Sequence, residues 1–232
     1  MTEKLFWLDA YIREFDAKVE AVDETGVRLD RTAFNPRGGG LVSDIGKLND
    51  INVIEVVKKE EEVYHVLGGG ASLRPGEPVH GEIDWERRHR IMRMHTTAHI
   101  LSSIVNRETG ALITGNQIAP TESRIDFSLE AFDREKVEGY VKMANEAAAG
   151  GAAVKTFFMK RDEALNTPGF VKLADALPPA VAELRIVQIG WIDTQADGGV
   201  HVKNTAEIGE IVVNKIENKG KSNRRLYFSL KP

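Results

Sequence analysis

The chain has 232 residues, 42% of them hydrophobic and 28% charged, the make-up of a globular protein large enough for one large domain or two modest ones. It contains no cysteine, which excludes disulfides, thiol catalysis and thiolate metal sites, so any metal must rest on histidine, carboxylate or water. The net charge of −4 carries no global signature of nucleic-acid binding, no apolar run approaches the ~20 residues of a membrane helix, and Met1 to Asp9 lacks the basic-then-apolar pattern of a secretion signal; a cytoplasmic location is the expectation.

The first ~85 residues read as all-β, a small barrel of short strands with regular punctuation. Lys18 to Ala21 alternates, Asp23-Glu24-Thr25-Gly26 turns the chain, and Val27 to Leu29 continues it. Val53 to Val57 and Val63 to Leu67 flank the charged tract Lys58 to Glu62; Pro75-Gly76 turns again before Val79 to Ile83. No helical period appears before Asp84.

Asp84 has the character of an N-cap for a long helix to about Arg107, closed by Gly110. Ile91, Met94, Ala98, Leu101 and Val105 recur at intervals of three and four, predicting one buried stripe. Asp133 caps a second helix ending at Gly150-Gly151, with Phe132 and Val137 spaced as a hydrophobic staple and an apolar face of Val137, Tyr140, Val141, Ala144 and Ala148. Strands are expected over Arg124 to Leu129, Ala153 to Met159 and Leu184 to Ile192. A hairpin is expected from Glu210 to Glu217 and Arg225 to Leu230 around Asn218-Lys219-Gly220. The fold class is therefore α+β, with a β-barrel domain over residues 1–84 and an α+β domain over residues 85–232.

Inside the long helix lies His95-Thr96-Thr97-Ala98-His99. Residues four apart share a helix face, so both imidazoles can reach one metal ion, and neutral imidazole suits zinc. Taken alone, the pair reads equally well as two helix histidines with no ligand. After the strand ending at Ile192 comes Asp193-Thr194-Gln195-Ala196-Asp197-Gly198-Gly199-Val200-His201, which sets Asp197 and a third imidazole four residues apart across a flexible step. Three of the six histidines fall in these two segments. A zinc protease is a poor match, because its general-base glutamate would stand where Thr96 does.

Four segments in this order resemble the AlaX-type alanyl-tRNA editing family, which is similar to the editing domain of alanyl-tRNA synthetase. They are Arg31-Thr32-Ala33-Phe34-Asn35-Pro36-Arg37-Gly38-Gly39-Gly40, His95 to His99, Thr114-Gly115-Asn116-Gln117, and Gly198-Gly199-Val200-His201-Val202-Lys203-Asn204-Thr205-Ala206-Glu207-Ile208-Gly209. The last is the most specific, and the two-part layout is similar to the medium-sized members. Two departures stand out: Asp197 occupies the position of a usual cysteine, and Leu41 that of a glutamine in many relatives.

The resemblance implies hydrolysis of the ester joining a wrong amino acid to the acceptor end of tRNA(Ala), serine first and glycine second, with Zn²⁺ as cofactor. It implies His95, His99 and His201 as metal ligands and catalytic centre, with Asp197 either a fourth ligand or an orienting neighbour. Thr32 is the implied contact for a seryl hydroxyl, or simply the end of a strand. Asn116 and Gln117 are implied contacts for the amino group or ribose, with Gly115-Asn116 alternatively an ordinary turn, and Gly199 lines the substrate loop. Thr97 and Ala98 read as packing, and Glu207 as a structural partner rather than a base. For tRNA phosphates the better basic patch is Lys219, Lys221, Arg224 and Arg225; the run Arg87, Arg88, Arg90 and Arg93 can instead pair with Glu82, Asp84 and Glu86. His65, His80 and His89 read as surface or barrel residues. Alternatives of other classes are a tRNA-binding module with a structural or lost metal, an editing hydrolase for another aminoacyl-tRNA, and a generic metal esterase.

Overall fold

In the computed structural model, residues 1–70, 72–131, 133–167 and 181–231 are described. The chain divides into two compact units, Met1–Ile91 and Met92–Pro232.

The first unit contains β1 (Glu3–Lys4), α1 (Leu5–Leu8), β2 (Glu14–Asp23), β3 (Gly26–Leu29), β4 (Arg31–Thr32), β5 (Gly46–Leu48), β6 (Ile51–Lys59), β7 (Glu62–Leu67) and β8 (Pro78–Ile83). β1 lies parallel to β4. The order β2-β3-β7-β6-β5-β8 is antiparallel throughout and closes, because β8 pairs back onto β2 with Phe15 opposite Gly81. Alternation along these strands sends Val19, Val27, Leu29, Leu48, Val56 and Val63 inward, each 2% exposed or less. Gly26 makes the tight β2–β3 turn at φ +141°, where a Cβ would come 2.6 Å from the His65 carbonyl oxygen.

The single helical turn α1 corrects the expectation that nothing helical precedes Asp84. Four residues are too few to show a period, and it is held instead by burial of Phe6 and by the Asp9 N–H donating to the Leu5 carbonyl.

The division between the units falls inside α2 (Trp85–Thr109). Arg88 explains why its first turns belong to the first unit. Its guanidinium is fully buried, ion-paired with the equally buried Asp44 and donating to the Ala10 and Ala33 carbonyls.

In the second unit α2 continues, followed by β9 (Ile113–Gln117), β10 (Ser123–Phe127), α3 (Arg134–Ala149), β11 (Val154–Lys160), α4 (Arg161–Asn166), β12 (Glu183–Ile189), β13 (Asp193–Ala196), β14 (Glu210–Asn218) and β15 (Arg224–Lys231). Two antiparallel sheets result, β14-β15-β10-β9 and β11-β12-β13. Asp84 caps α2 by accepting from the Arg87 N–H at 3.1 Å, and Gly110 ends it at φ +74°. Asp133 caps α3 through the Glu135 N–H; Val137, Ala144 and Ala148 are buried, while Phe132 of the expected staple lies outside the described residues.

One expectation is exceeded and two are corrected. The expected stripe of α2, Ile91, Met94, Ala98, Leu101 and Val105, is buried, but burial extends beyond it: from Ile91 to Ser102 every residue except Arg93 is buried. Thr96 and Thr97 tolerate this because their hydroxyls donate back to the Met92 and Arg93 carbonyls, at 3.0 and 2.9 Å. The strand expected to reach Ile192 stops at Ile189, and the chain turns at Gly190 (φ +47°) to return as β13. Gly115-Asn116 is not a turn but the middle of β9, with Asn116 opposite Ile125. Among the described residues no helix is long and apolar enough to cross a membrane.

Candidate metal centre

Helix α2 places His95 and His99 one turn apart, with ring centroids 5.0 Å from each other. The loop after β13 brings His201 to them, at 4.2 Å from His95 and 4.7 Å from His99 between centroids. All three Nε2 atoms converge on one carboxylate. Asp197 Oδ1 lies 3.2 Å from His201 Nε2, and Oδ2 lies 3.4 Å from His95 Nε2 and 3.7 Å from His99 Nε2. The three histidines are buried and Asp197 is half-buried.

The opposite ring nitrogens are all engaged. His95 Nδ1 donates to the Val200 carbonyl at 3.2 Å, His99 Nδ1 meets Asp193 Oδ2 at 2.9 Å, and His201 Nδ1 meets Thr96 Oγ1 at 3.1 Å. Since the Thr96 proton goes to the Met92 carbonyl, its oxygen accepts from His201 Nδ1 and from the Val202 N–H. For His95 and His201 the proton therefore sits on Nδ1, leaving an Nε2 lone pair aimed at the common centre.

The donor set fits a metal ion. Tetrahedral zinc with bonds of about 2.0–2.1 Å separates its ligand atoms by about 3.3–3.4 Å. The separations between Asp197 oxygens and the histidine nitrogens, 3.2 and 3.4 Å to His201 and His95 and 3.7 Å to His99, are near that edge length for the first two and somewhat wider for the third, and the four ligand atoms lie within 4.8 Å of one another. Without a cation, the protons of the cluster redistribute. Burial lowers the His99 pKa, but hydrogen bonds to Asp193 and Asp197 outweigh it and raise the value to about 9. Burial pushes His201 well below its ordinary value, reinforced by repulsion from His95. Asp197 resists its own burial because of the charge on His95 and the hydrogen bonds from the three rings, and it stays ionised well below the usual carboxylate range.

The Gly-Gly loop is braced from behind. Gly199 N–H donates to Asp197 Oδ1 at 2.6 Å, and the buried Arg185 donates through Nη1 to the Asp197 and Gly199 carbonyls at 3.0 and 2.9 Å.

Asn116 has a buried Oδ1 without a hydrogen-bond partner among the described residues, whereas the exposed Gln117 accepts from Arg124. Within the barrel unit Thr32 is fully buried. His65 donates from Nδ1 to the Val27 carbonyl, so its Nε2 accepts the Thr32 hydroxyl proton at 2.8 Å, while Thr32 Oγ1 accepts from the Phe34 N–H. One lone pair is left for any further partner. Of the four cations assigned to the β14–β15 tip, Arg224 turns inward and donates to the Gly220, Lys221 and Asn223 carbonyls, and Arg225 pairs with Asp126 at 2.6 and 2.8 Å. Lys219 pairs with Glu217, and Lys221 is exposed. Glu207 closes a capping box with Asn204, the structural partnership expected of it. His80 is exposed beside Asp16, and His89 stacks on Trp85.

Sequence reasoning missed Asp193, Gln195, Thr96 and Arg185. A signal existed: Asp193 and Gln195 alternate with period two, which sets them on one face of a strand, but a strand expected to run on to Ile192 makes the following segment read as its terminal loop.

Residues 184–227 match the family described as the threonyl and alanyl tRNA synthetase second additional domain, the segment that contains β13, Asp197 and His201. An alanyl-tRNA editing protein AlaX-M of Saccharolobus solfataricus is 45% identical over the whole of both chains, and one from Methanosarcina mazei is 44% identical over 99% of this chain and 97% of its own. The alanine–tRNA ligase of Methanococcus maripaludis is 36% identical over 98% of this chain, which corresponds to 26% of that enzyme. These matches place the chain in the class of tRNA editing proteins related to alanyl-tRNA synthetase. Within that class, the chain belongs to the AlaX-M family of alanyl-tRNA editing proteins.

Proposed function

We propose that this protein hydrolyses the ester between a wrong amino acid and the acceptor end of tRNA(Ala), seryl-tRNA(Ala) first and glycyl-tRNA(Ala) second, at a Zn²⁺ site made by His95, His99 and His201, with Asp197 a labile fourth ligand that yields its position to water or substrate. The observation that carries it is the convergence of three Nε2 atoms on the Asp197 carboxylate, at 3.2, 3.4 and 3.7 Å, in a chain of this family. Bound there, zinc would polarise the ester carbonyl and supply an activated water at neutral pH.

The residues of the chain do the rest. Nδ1 hydrogen bonds hold the rings so that their Nε2 atoms face the common centre without side-chain rearrangement. Asp197 contributes an oxygen where relatives usually have sulfur, and Arg185 and the Gly199 N–H fix the loop that presents it. The unsatisfied Asn116 Oδ1 is suited to accept from the substrate's α-amino group, since a buried carbonyl oxygen without a donor is destabilising by about 1–3 kcal/mol. Lys221 is the tip cation left to meet phosphate, Lys219 could join it by leaving Glu217, and Arg224 and Arg225 order the hairpin beneath them.

The test is release of serine from seryl-tRNA(Ala) by zinc-loaded protein, lost in His95→Ala. An ester left intact by the loaded wild type refutes the reading. A second reading has support from the closeness of Asp197: a filled four-ligand site is the hallmark of structural zinc, and the protein would then bind tRNA without turnover. Retained tRNA affinity in both wild type and His95→Ala, with no serine release from either, would favour it. Seryl esters of tRNA(Ala) and tRNA(Thr) compared side by side separate an alanine-tRNA editor from one serving another aminoacyl-tRNA.

A further inference from the structure

The three histidines are held differently at Nδ1. His95 and His201 donate to uncharged oxygens, the Val200 carbonyl and the Thr96 hydroxyl. His99 faces a carboxylate, Asp193 Oδ2, at 2.9 Å. The Asp193 side chain has no exposure at all. Burying a carboxylate costs several kcal/mol unless hydrogen bonds compensate it, so a fully buried one calls for a reason. Its neighbours belong to the site: Gln195 Nε2 donates to Asp193 Oδ2 at 3.0 Å, and the same nitrogen lies 2.7 Å from His99 Nδ1, so amide and ring are two donors gathered on one carboxylate oxygen. Register explains the placement. Asp193 pairs with Ile189 and Gln195 with Val187, two fully buried positions of β12, so both polar side chains point to the buried side of the hairpin and onto α2.

We propose that Asp193 is a positioning residue for the metal centre, fixing His99 with its proton on Nδ1 and its Nε2 lone pair on the ion, while Gln195 holds the Asp193 carboxylate in place. An ionised carboxylate only accepts hydrogen bonds, so it stabilises the tautomer with the proton on Nδ1; the competing tautomer, with Nδ1 accepting from the Gln195 amide, would set two acceptors against each other 2.9 Å apart. The inference rests on the zinc reading of the site but concerns residues outside the ligand set.

The experiment measures zinc affinity by competition with a chromophoric chelator and reads the His99 ring by long-range ¹H–¹⁵N correlation in the zinc-loaded protein. Wild type is expected to show the proton on Nδ1 and the metal on Nε2. Asp193→Ala should bind zinc ~10–100-fold more weakly. Asp193→Asn still offers an oxygen to Nδ1, so it should keep the tautomer and recover part of the affinity, whereas Asp193→Leu, which fills the space but offers no acceptor, should not. Zinc bound by Asp193→Ala within twofold of wild type overturns the proposal, as does a wild-type His99 protonated on Nε2. Should Asp193→Ala fail to fold, the wild-type spectrum and the Asp193→Asn affinity decide. Wild type that binds no zinc sinks the metal reading itself, an outcome distinct from tight wild-type binding that Asp193→Ala leaves unaltered.

Discussion

Acid should unfold the barrel unit through a single side chain, His65. Its ring is fully buried, donating to Val27 and accepting from Thr32, and burial lowers its pKa from 6.5 to about 4. The unfolded chain therefore takes up this proton before the folded one does. Stability from the neutral ring is complete above pH 6.5 and is lost progressively as pH falls from there through about 4. At 1.36 kcal/mol per pKa unit, the loss reaches about 2 kcal/mol by pH 5 and about 3 kcal/mol in the limit. Urea unfolding at pH 7 and pH 5, with chelator present throughout, measures it. Tryptophan fluorescence is selective for this unit, because Trp7 and Trp85 lie in it while Trp191 is already 76% exposed when folded. His65→Gln can keep both hydrogen bonds but cannot titrate, so its loss between the two pH values should be smaller than wild type by about 2 kcal/mol. The metal-site histidines titrate in both proteins and cancel in the difference. Parallel losses in wild type and His65→Gln would refute the reasoning.

Arg88→Met should destabilise the protein by about 3–5 kcal/mol, because it strands the buried Asp44 carboxylate, and adding Asp44→Asn should restore much of this in the same urea assay. Apparent zinc affinity should climb about tenfold per pH unit between pH 6 and 8, since His99, with its pKa raised to about 9, must release a proton to bind; isothermal titration in buffers of different ionisation enthalpy counts that proton. Asn204→Ala should cost about 1 kcal/mol through loss of its capping box yet leave zinc stoichiometry unchanged, as judged by elemental analysis. Asp197→Cys should retain the ion and, loaded with Co²⁺, show thiolate charge-transfer absorption, whereas Asp197→Ala should show none and bind more weakly.

What the sequence determined by itself is local. Helix period, cap and stop placed α2 and α3, because capping and i,i+4 neighbours depend on residues a few positions apart. The same spacing put His95 and His99 on one face, and the motif carrying Asp197 and His201 is continuous along the chain. Tertiary structure decided what depends on partners distant in sequence. Asp193 and Gln195 became neighbours of His99 only once Gly190 folded β13 back on β12, and Arg88 chose Asp44 from 44 positions away. Arg224 and Arg225 look like free cations in the sequence, yet one closes its own turn and the other pairs with Asp126. A long flexible side chain takes whichever acceptor the fold presents, and no pattern along the chain encodes that choice.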